Sequence, residues 1–418
     1  MKLAPGTPLA VTLGFEDGSD ALAAARLAMD GGLAQLEWSS AVISRALPVS
    51  PIFYPPEPGL IAARTRSFDG LHGFLADSLP DGWGYLLMRK RLAKLGIDIA
   101  ALAPLERLAL VGDHGRGALM FKPATTPADD IETLDLDALA HDATALLTGE
   151  ETRLANTLAV LAGGSGGARP KVHVGLDAQG RLSVGQASMP AGYTAWLVKF
   201  RAPADPLDIG PIEEAYACMA EVAKLTVSPH RVLPAQSGPG YFATKRFDRP
   251  DGGGRLHMVS LAGAIEVPPD IPSSYDLFLR ATRAITRRAD DVIAAFRRMV
   301  FNVLACNRDD HTRQHAFLMD RAGEWRLAPA FDLTYAPGPG GEHYLDIDGE
   351  GRHPTRAQVI SLGKRHGLDA RRVTVIIDEV ATSVAGWQIL AKQAGVSEAS
   401  MRMVQEALTR VRADFGGD

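Results

Sequence analysis

Cysteine is almost missing from this chain: 418 residues contain two, Cys218 and Cys306. Two thiols cannot build a disulfide framework, and they give no support to a cysteine-based zinc site. Both fall in apolar, helical-looking segments and read as small core filler in a reducing cytoplasm. No run of eighteen apolar residues occurs, so no transmembrane helix is expected and no membrane partner is implied. The first eighteen residues carry one Lys and a short apolar run before Glu16 and Asp17, which is not a signal-peptide pattern. A basic excess is also lacking, with a formal net charge of -5. That argues against unaided DNA binding. The local cluster Arg283, Arg287, Arg288, Arg297 and Arg298 reads as a solvated helix face. No G-x-S-x-G elbow is present, which removes support for that type of serine hydrolase. His311 and His315 have the i, i+4 spacing of a zincin pair, but Thr312 stands where the general-base Glu belongs.

What is present suggests two or three domains or lobes of a soluble globular chain. Residues 1–125 are punctuated by Pro and Gly and read as strand-rich with short helices. Residues 75–96 turn at Pro80-Asp81-Gly82 and continue as an amphipathic helix. A polar connector at 123–137 is a plausible boundary, and residues 138–162 read as one helix. A Gly-rich loop, GGSGGARPK, spans 163–171 and leads into a hairpin at 172–188. The apolar strand TAWLVKF (194–200) follows, then a helix at 213–226 and strands at 230–234 and 241–248. The strongest helical stripe covers 290–306, with Val292, Phe296, Met299, Val300 and Val303 on one face. A strand–turn–strand follows at 315–329, and the tail from 356 is helical. The boundaries expected are 1–125, 126–270 and 271–418.

Phosphoryl transfer asks the protein to hold phosphates, neutralise charge and orient the acceptor. Four ingredients occur in the order such a site needs. The glycines of 163–167 allow close approach to an anion, with Arg169 and Lys171 adding positive charge. The loop is not a Walker motif, because Val172 follows Lys171. Lys199 lies in an apolar strand, where a lysine needs a partner or an outlet to water. Glu214, fifteen residues on, opens a helix and is placed to pair with it. Asp309 precedes Gln314 by five residues, the D-x-x-x-x-N spacing of kinase catalytic loops. Asp332, in PAFDL, is a second carboxylate beyond the hairpin. Carboxylate and amide oxygens at this density suit Mg2+. His311 is expected to support the loop by hydrogen bonding.

Several segments together resemble the HipA family, the serine/threonine kinases of bacterial type II toxin–antitoxin systems. They are LADSLPDGWG (75–84), GDHGRGAL (112–119), GGARPK (166–171), Lys199, Glu214, KRFDR (245–249), NRDDHTRQHAF (307–317) and APAFDL (328–333). The resemblance is near full-length. It implies an α+β, bilobal protein-kinase-like fold with an additional strand-rich N-terminal subdomain and a helical C-terminal lobe. It implies ATP and Mg2+ as cofactors and Asp309 as catalytic base, with Gln314 and Asp332 on the metal. Nucleotide contacts would come from Gly166, Gly167, Ala168, Arg169, Lys171, Lys199 and His311, with Val259, Ser260 and Leu261 at the adenine hinge. Glu214 would pair with Lys199. The implied partners are a small helix-turn-helix antitoxin (HipB-like), DNA mainly through that antitoxin, and a protein substrate such as an aminoacyl-tRNA synthetase.

Two residues depart from the family pattern. Gln314 stands where Asn is usual. Gly166 stands where some members carry a serine that is autophosphorylated, with Ser165 one residue earlier. Two other readings therefore stay open: a catalytically weakened regulator acting through a DNA-binding partner, and a small-molecule kinase.

Overall fold

The computed structural model describes residues 7–16, 21–125, 134–164, 166–184 and 189–416. The chain divides into two compact units. One comprises Met1–Asp205, Ala243–Val259 and Leu318–Glu324; the other comprises Pro206–Phe242, Ser260–Phe317 and Trp325–Asp418.

The first unit opens with a five-stranded sheet. Strands β1 (Leu9–Leu13), β2 (Leu22–Asp30), β3 (Leu33–Trp38), β4 (Leu60–Ala62) and β5 (Leu119–Lys122) lie in the order β4-β3-β2-β1-β5. Every pairing is antiparallel. Alternation sets the buried face: Leu9, Val11 and Leu13 point inward, while the residues between them are half-buried. Strands β6 (Lys171–Asp177), β7 (Leu182–Ser183), β8 (Tyr193–Lys199) and the Ala243–Lys245 end of the strand Tyr241–Lys245 belong to a second sheet. In it Lys171 lies opposite Lys199. The expected hairpin is present as far as Ser183; residues 185–188 lie outside the described residues.

Two motifs that are far apart in sequence form one structure in this unit. Asp248 is buried and accepts hydrogen bonds from Gly117 N (2.8 Å), Arg246 Nη2 (2.8 Å) and Arg249 Nη1 (2.8 Å). Arg249 also donates to the carbonyls of Gly115 and Gly117. Gly117 has φ +68°, and a Cβ there would sit 2.8 Å from Met258 N. Burial opposes ionisation of Asp248, but the two guanidiniums outweigh it and hold its pKa far below the usual carboxylate range. Removing this carboxylate strands two buried cations. Asp248→Ala should therefore lower unfolding free energy by about 3–5 kcal/mol, read as an earlier urea midpoint.

The second unit is mainly helical. Its long helices are Ile209–Val222, Tyr275–Thr286, Ala289–Leu304, Arg356–Arg365, Ala370–Ala385, Trp387–Ala394 and Glu398–Gly416. The 290–306 stripe appears as Ala289–Leu304, with Val292, Phe296, Met299 and Val300 fully in the core. Among the described residues, no single helix is long and apolar enough to cross a membrane.

Two expectations need correction. The helix expected over 138–162 is two helices, Leu136–Leu147 and Ala155–Ala162, because Gly149 takes φ +95° between them. The arginine cluster is not one solvated face. Arg283, Arg287 and Arg288 are exposed, but Arg298 is buried and donates to the Ala328 carbonyl at 2.5 Å. Burial pushes its pKa down to about 10.

Candidate nucleotide and phosphoryl-transfer site

The helix Ala289–Leu304 delivers the chain to the polar loop at 307–315 in the second unit. The loop's footing is a buried relay. Asn307 Nδ2 donates to Asn302 Oδ1 (3.0 Å), and Asn302 Nδ2 donates to the Tyr275 hydroxyl (3.0 Å). Tyr275 donates to Asp310 Oδ2 at 2.5 Å. Asp310 is fully buried and also meets His343 Nδ1 (2.7 Å) and the Tyr344 N–H (2.8 Å). Burial opposes its charge, yet His343 and Tyr275 outweigh burial and lower its pKa. Burial, then Asp310, raise the Tyr275 pKa well above normal, so its hydroxyl stays a donor.

Asp309 is the opposite case. Its side chain is 52% exposed, and the nearest His311 nitrogen, Nε2, lies 3.8 Å away. His311 caps the turn Thr312–Gln314: its Nδ1 accepts from the Arg313 N–H at 3.2 Å. That bond fixes the tautomer with hydrogen on Nε2, the nitrogen facing Asp309. His315, by contrast, is buried against Phe278, with ring centroids 4.2 Å apart and the planes tilted by 31°. Burial, then Arg298, drive its pKa down to about 3, so it stays neutral.

Gln314 and Asp332 meet although they lie eighteen positions apart, with Nε2 2.8 Å from Oδ2. Asp332 has φ +57°, a conformation uncommon for a non-glycine residue and frequent at ligand sites. Holding Mg2+ would require the amide to turn its oxygen toward the ion in place of the N–H that now donates to Asp332. The resulting all-oxygen donor pair fits Mg2+.

The Gly-rich loop belongs to the first unit. There Gly167 N donates to Asp81 Oδ1 (2.5 Å), and Gly167 O accepts from Trp83 N (2.9 Å). Trp83 Nε1 donates to the Lys171 carbonyl (3.0 Å), and Lys171 Nζ donates to the Gly166 carbonyl (2.6 Å). Asp81-Gly82-Trp83 is thus a clamp on the loop, a role that spacing alone did not reveal. A Cβ at Gly166 would lie 2.7 Å from Asp81 Oδ1, so a serine there would displace the clamp. Ser165 lies outside the described residues. Gly82 has φ +44°, and a Cβ on it would collide with the Gly167 carbonyl. Gly82→Ala should therefore cost about 1–3 kcal/mol from backbone strain, visible as a lower thermal midpoint.

Ala168 follows the clamp. Arg169 is ion-paired with Asp205 (3.1 Å). Lys171 and Lys199 are both buried and directly opposite each other on β6 and β8. Val259 and Ser260 close a strand, His257–Ser260, and the division between the units falls between them. Ser260 caps the helix Leu261–Ile265 through Gly263 N (3.1 Å), and Leu261 N donates to His315 O (2.7 Å). Lys199 and Glu214 lie in different units. Within its own unit Glu214 accepts from His230 Nδ1 at 2.9 Å.

The architecture is α+β: a strand-rich N-terminal part, a second sheet bearing a Gly-rich loop, and a helical C-terminal part carrying a carboxylate-bearing loop. The family model "HipA-like C-terminal domain" matches residues 163–387, and "HipA N-terminal domain" matches residues 20–122. The chain belongs to the HipA family. Its fold is similar to that of HipA from Shewanella oneidensis MR-1, solved with HipB and operator DNA. That match has a TM-score of 0.70 at 16% identity and covers 97% of this chain and 96% of that one. A curated relative, "Putative kinase Y4mE" of Sinorhizobium fredii (strain NBRC 101917 / NGR234), is 29% identical over 189 residues. The match spans 43% of this chain and only 39% of the relative's length. The Helicobacter pylori proinflammatory kinase CtkA aligns with a TM-score of 0.34 at 15% identity, covering 50% of this chain and 93% of that one.

Proposed function

We propose that the chain is a cytoplasmic, ATP- and Mg2+-dependent serine/threonine-protein kinase of the toxin type. The observation that carries this reading is the meeting of Gln314 with Asp332, five residues after the exposed Asp309. In this reading Asp309 orients the acceptor hydroxyl and takes its proton. Gln314 and Asp332 would hold Mg2+, which supplies neutralisation of phosphate charge. Lys171 and Lys199 would face the phosphates beneath the loop Gly166–Gly167–Ala168–Arg169, with Glu214 as the partner of Lys199. Val259, Ser260 and Leu261 would flank the base. The three-part division 1–125, 126–270 and 271–418 belongs to this proposal, as does a HipB-like helix-turn-helix antitoxin carrying the DNA contact. A serine of an aminoacyl-tRNA synthetase is the acceptor the family resemblance puts first. Purified protein, cell extract and γ-labelled Mg-ATP should give a labelled protein band; labelling of small metabolites alone would instead support a small-molecule kinase.

The longer Gln314 arm favours a second reading, a weakened kinase that acts chiefly through its DNA-binding partner. Gln314→Asn should then raise transfer at saturating ATP. An unchanged rate would remove the reason for this alternative.

A further inference from the structure

Three side chains of metal-ligating type converge elsewhere in the second unit, with a fourth, Glu221, beside them. Glu214, Cys218 and Glu221 stand at i, i+4 and i+7 on the helix Ile209–Val222 and so share a face. His230, on the strand His230–Leu233, lies against them. Its Nδ1 is 2.9 Å from Glu214 Oε2, and its Nε2 is 3.6 Å from Glu221 Oε1. Cys218 Sγ is 3.8 Å from Glu214 Oε1. The ligand atoms of Glu214, Cys218 and His230 all lie within 4.8 Å of one another. Ligands to a tetrahedral ion sit about 2.0–2.3 Å from a common centre. Ligand atoms around such an ion are themselves only a few ångström apart, as these three are.

A plain ion pair needs one carboxylate on one imidazole. Here two carboxylates and a thiol crowd the same ring. Glu221 is 56% exposed and offers the way in, whereas His230 is buried to 6%.

We propose that Glu214, Cys218 and His230, with Glu221 at the mouth, form a binding site for one divalent transition-metal ion of the Zn2+ class. Thiolate, imidazole and carboxylate together select Zn2+ or Co2+ over Mg2+ or Ca2+. The scarcity of cysteine argues against a site built on cysteines alone; this mixed site needs a single thiol. The site stands apart from the kinase reading. Only its consequence rests on that reading: Glu214 is also the proposed partner of Lys199, so a bound ion that holds this carboxylate should lower transfer.

Metal-freed, reduced full-length protein titrated with Co2+ should show four-coordinate ligand-field absorption, a sulfur-to-cobalt charge-transfer band and release of protons, saturating at one ion per chain. The chain has two thiols, so the source of the band can be assigned. It should vanish in Cys218→Ala, or in Cys218→Ser if the first variant folds poorly, and persist in Cys306→Ala. No band in folded wild type, or a band surviving without Cys218, would overturn the site. In the transfer assay, Zn2+ should lower labelling by wild type and not by Cys218→Ala. Zinc-insensitive labelling beside an intact cobalt spectrum overturns the coupling alone. Absent labelling beside an intact spectrum overturns the kinase reading and leaves the site standing.

Discussion

Asp309→Asn should lower phosphoryl transfer by about 10²- to 10⁴-fold while ATP binding and the unfolding midpoint stay near wild type. The side chain is half exposed, where a charge is screened by water. Little folding energy therefore depends on its charge. Its place in the proposed reaction depends on charge entirely, because an amide cannot accept the acceptor's proton. The expected pattern is a fall in kcat with Kd for ATP unchanged. A parallel collapse of binding or stability would show that Asp309 is structural.

Asp310→Ala should do the reverse. It removes a buried carboxylate that accepts from Tyr275, His343 and the Tyr344 N–H. Stranding these donors in a dry interior should cost about 3–5 kcal/mol, measured by urea denaturation. Activity at low temperature should fall less than in Asp309→Asn wherever the variant is still folded. The pH dependence has a definite sign. The folded pKa of Asp310 lies below the ordinary carboxylate value. Its contribution is therefore full above about pH 4. It is lost as the pH falls through the folded value. Wild type should lose more stability than Asp310→Asn on acidification through that window.

These adjacent acids show what was legible in sequence and what was not. Spacing from Asp309 to Gln314 located the loop, and Asp332 was read from PAFDL beyond the hairpin, with the resemblance adding its expected role. Nothing in N-R-D-D-H distinguishes an exposed acid from a buried one. That distinction is made by Tyr275 and His343, each more than thirty residues from Asp310. The loop glycines were visible, but their clamp was not, because Asp81 lies 86 residues before Gly167. Strand and helix types were readable where periodicity was long, as in Ala289–Leu304. The reading failed at Gly149, where one left-handed glycine splits an apolar stretch into two helices. It also failed at Arg298, whose burial depends on a carbonyl thirty residues on.

Transfer of the γ-phosphate from labelled Mg-ATP to protein, compared between wild type and a folded Asp309→Asn variant, tests the central claim most directly. Labelling by wild type that falls at least a hundredfold in the variant is the predicted result. Equal labelling by the two proteins would contradict it.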